Sequence, residues 1–176
     1  MFTVINNQMD DKPYSDPTQE ESLVKYYEGK SLFLTGVTGF IGQVILEKLL
    51  RACPGIEKIY VLLRPKKDLG CHERLQAVFK SPLFHSLMES DVQAAEKVIP
   101  VAGDISEENL GMTEEDWIRV SDDVNIIIHN AASVRFNQPL RVAMQMNCVA
   151  VRKVIQLARN TRNLSMLCYI STAYSQ

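Results

Sequence analysis

Three glycines at three-residue intervals stand in the run Thr35-Gly36-Val37-Thr38-Gly39-Phe40-Ile41-Gly42. An apolar segment that reads as a buried strand, residues 31–35, precedes the run. A stretch with helical spacing of its apolar residues, 39–52, follows it. Between a strand and a helix, such glycines suit a dinucleotide pyrophosphate. The first lets the chain turn tightly, the second lets backbone N–H groups reach the phosphates, and the third lets the helix pack against the sheet. The negative charge then meets the unsatisfied N–H groups and the dipole of a helix N-terminus. A glycine-rich turn can also serve packing alone, but the strand before and the helix after favour the phosphate reading. Thr35, Gly36, Thr38, Gly39, Phe40, Ile41 and Gly42 are therefore candidate cofactor-binding residues.

Each later apolar run ends in residues fit for the same ligand. The second runs into Arg64-Pro65-Lys66-Lys67, where an NAD site places an acid for the ribose 2′-OH. A guanidinium suits a 2′-phosphate instead, so Arg64 and Lys67 point to NADPH rather than to a merely solvated basic loop. The third ends at Gly103-Asp104-Ile105. Asp104 either reaches the adenine amino group, with Ile105 against the ring, or caps a turn, and position alone does not choose between them. The fourth ends at His129-Asn130-Ala131-Ala132. Small residues here let a cofactor cross the strand end, and His129 reads as a satisfied structural histidine. Asn147, in the next helical stretch, is a core polar residue or a site organiser, and its company favours the latter. The fifth run ends at Ser171-Thr172. Hydroxyls there either cap a turn or, in a 3-2-1-4-5 sheet, polarise a substrate carbonyl at the nicotinamide.

These segments need a scaffold of alternating strands and helices. Strands are expected at 31–35, 58–63, 97–102, 124–129 and 165–171, and helices at 39–52, 71–80, 84–96, 113–120 and 140–160. Nearly continuous Ile, Val and Leu runs suit strands buried on both faces, and the alternation implies right-handed crossovers and a parallel sheet. The fold class is α/β: a Rossmann-like, doubly wound parallel sheet truncated after the fifth strand. Residues 1–22 read as a flexible polar tail and 23–176 as one NADP-binding domain, incomplete at its C-terminus. A formal charge of −2 gives no basis for nucleic-acid binding. No apolar stretch has the length of a membrane span or a secretory signal, so the chain reads as soluble and intracellular. Four scattered cysteines read as reduced thiols, without a disulfide framework or metal site.

Together the segments resemble the extended short-chain dehydrogenase/reductase superfamily, and within it the N-terminal portion of the alcohol-forming, male-sterility-type fatty acyl-CoA reductases. The Arg64-Pro65-Lys66-Lys67 and His129-Asn130-Ala131-Ala132-Ser133-Val134-Arg135-Phe136 segments carry that likeness further than the glycines do. The resemblance implies NADPH-dependent reduction of a long-chain acyl-CoA to an alcohol, with Thr172, or failing it Ser171, polarising the carbonyl. It implies association with peroxisomal or endoplasmic-reticulum membranes. It also implies a later Tyr-x-x-x-Lys proton donor. The one Tyr-x-x-x-Lys in this chain, Tyr26 to Lys30, precedes the first expected strand, so it is a chance match. The chain alone is expected to be inactive. The alternatives are an NADPH-binding module without turnover, or a reductase of another thioester or a sterol.

Overall fold

Alternation along each strand decides how the sheet is covered. In β2 (Ser31–Thr35), Leu32 and Leu34 join one buried cluster while Phe33 joins another on the opposite face. In β3 (Lys58–Leu63), Ile59, Val61 and Leu63 fall with the first, and Tyr60 and Leu62 with the second. Both faces are dry, which is why these strands read as unbroken apolar runs. The computed structural model describes residues 2–5, 23–66, 69–135 and 137–171.

The other strands are β1 (Phe2–Ile5), β4 (Val98–Ala102), β5 (Ile126–His129) and β6 (Met166–Ile170), in the sheet order β1-β6-β5-β2-β3-β4. Strands β2 to β6 are parallel. Counted from β2 they give the expected 3-2-1-4-5 order. Strand β1 corrects one expectation. It lies in the stretch read as a flexible tail, yet it pairs antiparallel with β6, Phe2 opposite Ile170, and covers that sheet edge. An edge strand with open N–H and C=O groups is a template for any extended segment, and Phe-Thr-Val-Ile has strong β propensity.

On the first face lie α1 (Leu23–Tyr27), α2 (Phe40–Ala52), α3 (Cys71–Phe79) and α4 (His85–Ser90). Helix α2 turns Gly42, Leu46, Leu49 and Leu50 inward at helical spacing. The helix expected over 84–96 breaks at Asp91, whose carboxylate accepts from the Ala94 N–H and starts a separate 3-10 segment, Val92–Lys97. The second face carries α5 (Glu114–Asp123) and α7 (Ala150–Asn160), and α6 (Leu140–Met144) runs into α7 without a buried residue of its own. Thr113 caps α5, accepting from the Asp116 N–H, and Glu114, Glu115 and Asp116 complement the helix dipole. At its far end the Tyr60 hydroxyl donates to Asp123 over 2.6 Å and Lys58 approaches to 3.1 Å. Chiefly that tyrosine bond holds the Asp123 carboxyl below its ordinary range. The single helix expected over 140–160 is interrupted by a π-helical turn, Gln145–Val149.

Strand β2 meets α2 with almost no clearance. A Cβ on Gly42 would lie 2.1 Å from the Gly36 carbonyl oxygen. Nothing rigid there can yield without moving the strand-to-helix turn. Gly42→Ala is expected to cost about 3 kcal/mol, read as a lower urea midpoint at unchanged slope. An unchanged midpoint would mean that the turn and helix are not in contact as described.

Candidate cofactor site

The strand order reverses direction between β2 and β5, because the connection after β4 returns across β2 to form β5. Helices on opposite faces leave the strand ends apart there, and a crevice opens beyond their C-termini. The crevice is a cleft of about 940 Å³, and each strand from β2 to β6, or the segment just after it, contributes to its wall.

Thr35 shapes its floor. The hydroxyl oxygen accepts from the backbone N–H groups of Asn130 (3.2 Å) and Ala131 (3.1 Å), tying the ends of β2 and β5 together. With both lone pairs used, its proton goes to His129 Nδ1, 2.8 Å away. His129 is thereby held neutral with its proton on Nε2, and its ring stacks on Tyr169 at 5.5 Å. The expected satisfied histidine is only half satisfied. Buried Nε2 has no hydrogen-bond partner among the described residues, and such an orphan donor costs about 1–3 kcal/mol.

The glycine turn sits above this floor. Gly36 has φ of 80°, and a Cβ there would lie 2.8 Å from the Ala131 nitrogen. Packing thus accounts for Gly36 and Gly42. Gly42 is buried beneath the turn and forms no part of the cleft wall, so its place in the site is indirect. Gly39 differs. Its φ of −89° suits any residue, and an added Cβ would meet only the Gly36 oxygen at 3.4 Å. It is exposed and lines the cleft. The fold does not require a glycine at this position, but a pyrophosphate lying against the backbone does. Gly39 is also the N-cap of α2 and provides no side-chain cap, so the N–H groups of the first turn face the cleft as an anion site. The residues present therefore fit the phosphates of a dinucleotide.

Beside β3 and β4 the wall carries Arg64, Lys66 and Arg74 against one acid, Asp104. Arg64 Nε lies 2.8 Å from Asp104 Oδ2. Both groups border solvent, so the pair is worth little in stability, but it links the two expected site residues. Arg74, whose sequence position drew no site assignment, arrives from α3 and donates to the Arg64 carbonyl. Cys71, the first residue of the same helix, donates to the carbonyl of Leu63 at the end of β3 (3.3 Å). Asp104 does form a turn, with Oδ1 accepting from the Ser106 N–H (2.9 Å) and hydroxyl (2.8 Å). Asp104 thus takes the turn role through Oδ1, while Oδ2 stands at the cleft wall beside Arg64. Ile105 lines the cleft and is buried.

At the other end Asn130, Ala131, Ala132, Tyr169 and Ser171 line the cleft. Asn147 lies in the π-helical turn and clamps the loop after β5. Its Oδ1 accepts from the Ser133 N–H (2.8 Å) and its Nδ2 donates to the Ser133 carbonyl (2.9 Å). With both amide groups so used, Asn147 organises the wall. Thr38, Phe40 and Ile41 line the cleft beside Gly39. Lys67 and Thr172 lie outside the described residues. The Tyr26–Lys30 pair sits before β2, at the opposite end of the strands from the cleft, where Lys30 Nζ lies 3.4 Å from the Tyr26 ring centroid.

Burial lowers the His129 pKa from 6.5 to about 4. The folded value is depressed, so this neutral imidazole supports the fold fully above pH 6.5. The support is lost as pH falls from there through 4. The unfolding free energy is expected to drop by about 3 kcal/mol more over that window in the wild type than in His129→Gln. Urea titrations at pH 7 and pH 4 check this, and equal acid sensitivity of the two proteins would contradict a buried neutral ring.

The family described as "Male sterility protein", an NAD-binding domain, matches residues 34–176. Fatty acyl-CoA reductase 1 of Mus musculus is 43% identical over 154 residues, covering 88% of this chain and 30% of its own length. The Homo sapiens protein of that name is 44% identical over the same span and coverage. Among solved structures, a reductase (R) domain of a nonribosomal peptide synthetase from Mycobacterium tuberculosis superimposes with a TM-score of 0.67. It is 32% identical and covers 82% of this chain and 33% of that one. The terminal R domain of the myxalamid PKS-NRPS pathway gives a TM-score of 0.63 at 32% identity, covering 76% and 32%. The chain thus spans about a third of the length of the relatives it matches. The glycine turn, the switch-point cleft and these likenesses agree: the chain belongs to the male sterility protein family of NAD-binding domains.

Proposed function

We propose that this chain binds NADPH as the cofactor-holding part of an enzyme that reduces long-chain fatty acyl-CoA to fatty alcohol. The observation that carries the cofactor reading is Gly39, a glycine that packing does not need, at the uncapped N-terminus of α2 on the cleft wall. When bound, NADPH would supply a hydride to the thioester carbonyl carbon and, with one proton, give aldehyde and free CoA thiol; a second NADPH and proton would take the aldehyde to the alcohol. Arg64, Lys66 and Lys67 favour a 2′-phosphate over a bare ribose hydroxyl. Thr35 and Asn147 hold the loop after β5 so that the ring of the cofactor has a flat, small-residue wall. Ser171, and Thr172 beside it, donate a hydrogen bond to the carbonyl oxygen as negative charge grows there. The acyl-CoA substrate and the alcohol product rest on likeness to fatty acyl-CoA reductase 1. A reductase of a different thioester is the second reading, favoured by the 32% identity to the nonribosomal peptide synthetase R domain.

Two substitutions test the cofactor reading by fluorescence titration. Arg64→Gln is expected to weaken NADPH roughly 10- to 100-fold and to leave NADH within about twofold, the scale of lost charge-assisted bonds to one phosphate. Gly39→Ala is expected to weaken both cofactors at least about tenfold while lowering stability by no more than about 1 kcal/mol, since alanine is only a poorer N-cap. Equal loss of NADPH and NADH in Arg64→Gln would remove the NADPH assignment. The chain by itself is expected to give no palmitoyl-CoA-dependent oxidation of NADPH, because its one Tyr-x-x-x-Lys is at the wrong end of the strands. Turnover by this chain would contradict the need for that pair.

A further inference from the structure

Lys153 lies on α7 and is 8% exposed, among Ala150, Val154 and Leu157. Burying a lysine is costly unless its donors are used, and no expected site residue adjoins it in sequence. Its Nζ donates to the Ser106 carbonyl at 2.8 Å and stands 3.5 Å from the exposed Glu108 carboxylate. Gln145, from the π-helical turn, donates to the same carbonyl at 3.1 Å. Two side chains from one helical segment therefore grip one peptide group in the loop after β4.

That loop is strained. Asn109 and Leu110 have φ of 49° and 57°, and Gly111 follows at 63°. A leucine in the left-handed region is rare and persists only where its surroundings over-determine it. Leu110 is fully buried, and its carbonyl accepts from the Asp104 N–H at 2.7 Å. The strained return of the chain thus fixes the backbone of Asp104. Ser106 fixes the carboxylate, binding Oδ1 through both its N–H and its hydroxyl and leaving Oδ2 toward Arg64.

We propose that Lys153 is a positioning residue for the adenosine end of the cofactor site, acting through Ser106 to set Asp104 and, through it, Arg64. The inference rests on the cleft's reading as an NADPH site. It adds that recognition there is set from the opposite helix, by a side chain that does not line the cleft. Removing Lys153 leaves only Gln145, of the two side chains, on the Ser106 carbonyl, so the loop relaxes and the Asp104 carboxylate loses its fixed direction.

The test is a double-mutant cycle of Lys153→Met and Asp104→Ala on the whole chain, read by NADPH titration, thermal melting and amide hydrogen exchange. Lys153→Met is expected to weaken NADPH roughly tenfold, and Lys153→Arg to stay within about twofold of wild type. In the Asp104→Ala background the same change is expected to add less than about twofold, because the coupling runs through Asp104. The Asp104 amide is expected to exchange faster in Lys153→Met, with or without cofactor. An equal loss in both backgrounds, or a lower melting temperature with unchanged affinity, would overturn the inference, since a merely structural lysine gives either result. Lys153→Gln, polar and shorter, replaces Lys153→Met if the latter does not fold, with the same expected values. A wild type that binds NADH as tightly as NADPH fails the phosphate reading alone. The cycle is then read with NADH, because Asp104 borders the cleft for either cofactor. A chain that binds neither overturns both.

Discussion

The close approach of two backbones at the ends of β2 and β5 governs the rest of this molecule. Gly36 comes so near Ala131 that no side chain fits between them, and the Thr35 hydroxyl closes the seam by accepting two N–H groups from the neighbouring strand end. The seam lies where the sheet reverses its winding, so it forms the floor of a crevice that the helices cannot cover. Gly42 then allows α2 to start directly above that floor. The open first turn of α2 supplies the anion site, and the floor supplies the flat surface beside it.

Charge is distributed along the crevice with the same economy. The end beside β3 and β4 carries three cations and one acid, and the opposite end carries hydroxyl, amide and aromatic groups without a charge. The proposed NADPH would place its adenosine phosphate against the cations and its reactive ring toward Ser171. His129 contributes by being kept neutral: with no charge beneath the floor, the donors around it act on the ligand without competition.

The five parallel strands were legible because burial on both faces leaves an unmistakable run of apolar residues. Residues 31–35 and 58–63 match β2 and β3 at both ends. The glycine turn was legible because it obeys a local rule of spacing. What sequence concealed was whatever depends on partners distant in the chain. Strand β1 has only four residues and needs the exposed edge of β6 to become a strand. Arg74 and Lys153 come to the site from helices, where a cation ordinarily reads as a solvated face. The orphaned Nε2 of His129 was invisible because the Thr35 proton that sets its tautomer is a three-dimensional fact. The break at Asp91 was readable in principle, since aspartate favours a helix N-cap, but the apolar spacing on either side concealed it.

The central claim is that a pyrophosphate-bearing cofactor occupies the crevice at the seam between β2 and β5. The most direct measurement is a titration of the isotopically labelled chain with NADPH, followed by amide resonances. The account predicts saturable shifts concentrated at Gly36–Gly42, Arg64, Asp104, Ile105 and Asn130–Ala132, with the backbone around Tyr26 to Lys30 unmoved. Shifts centred on that opposite end of the strands, or scattered without saturation, would contradict it.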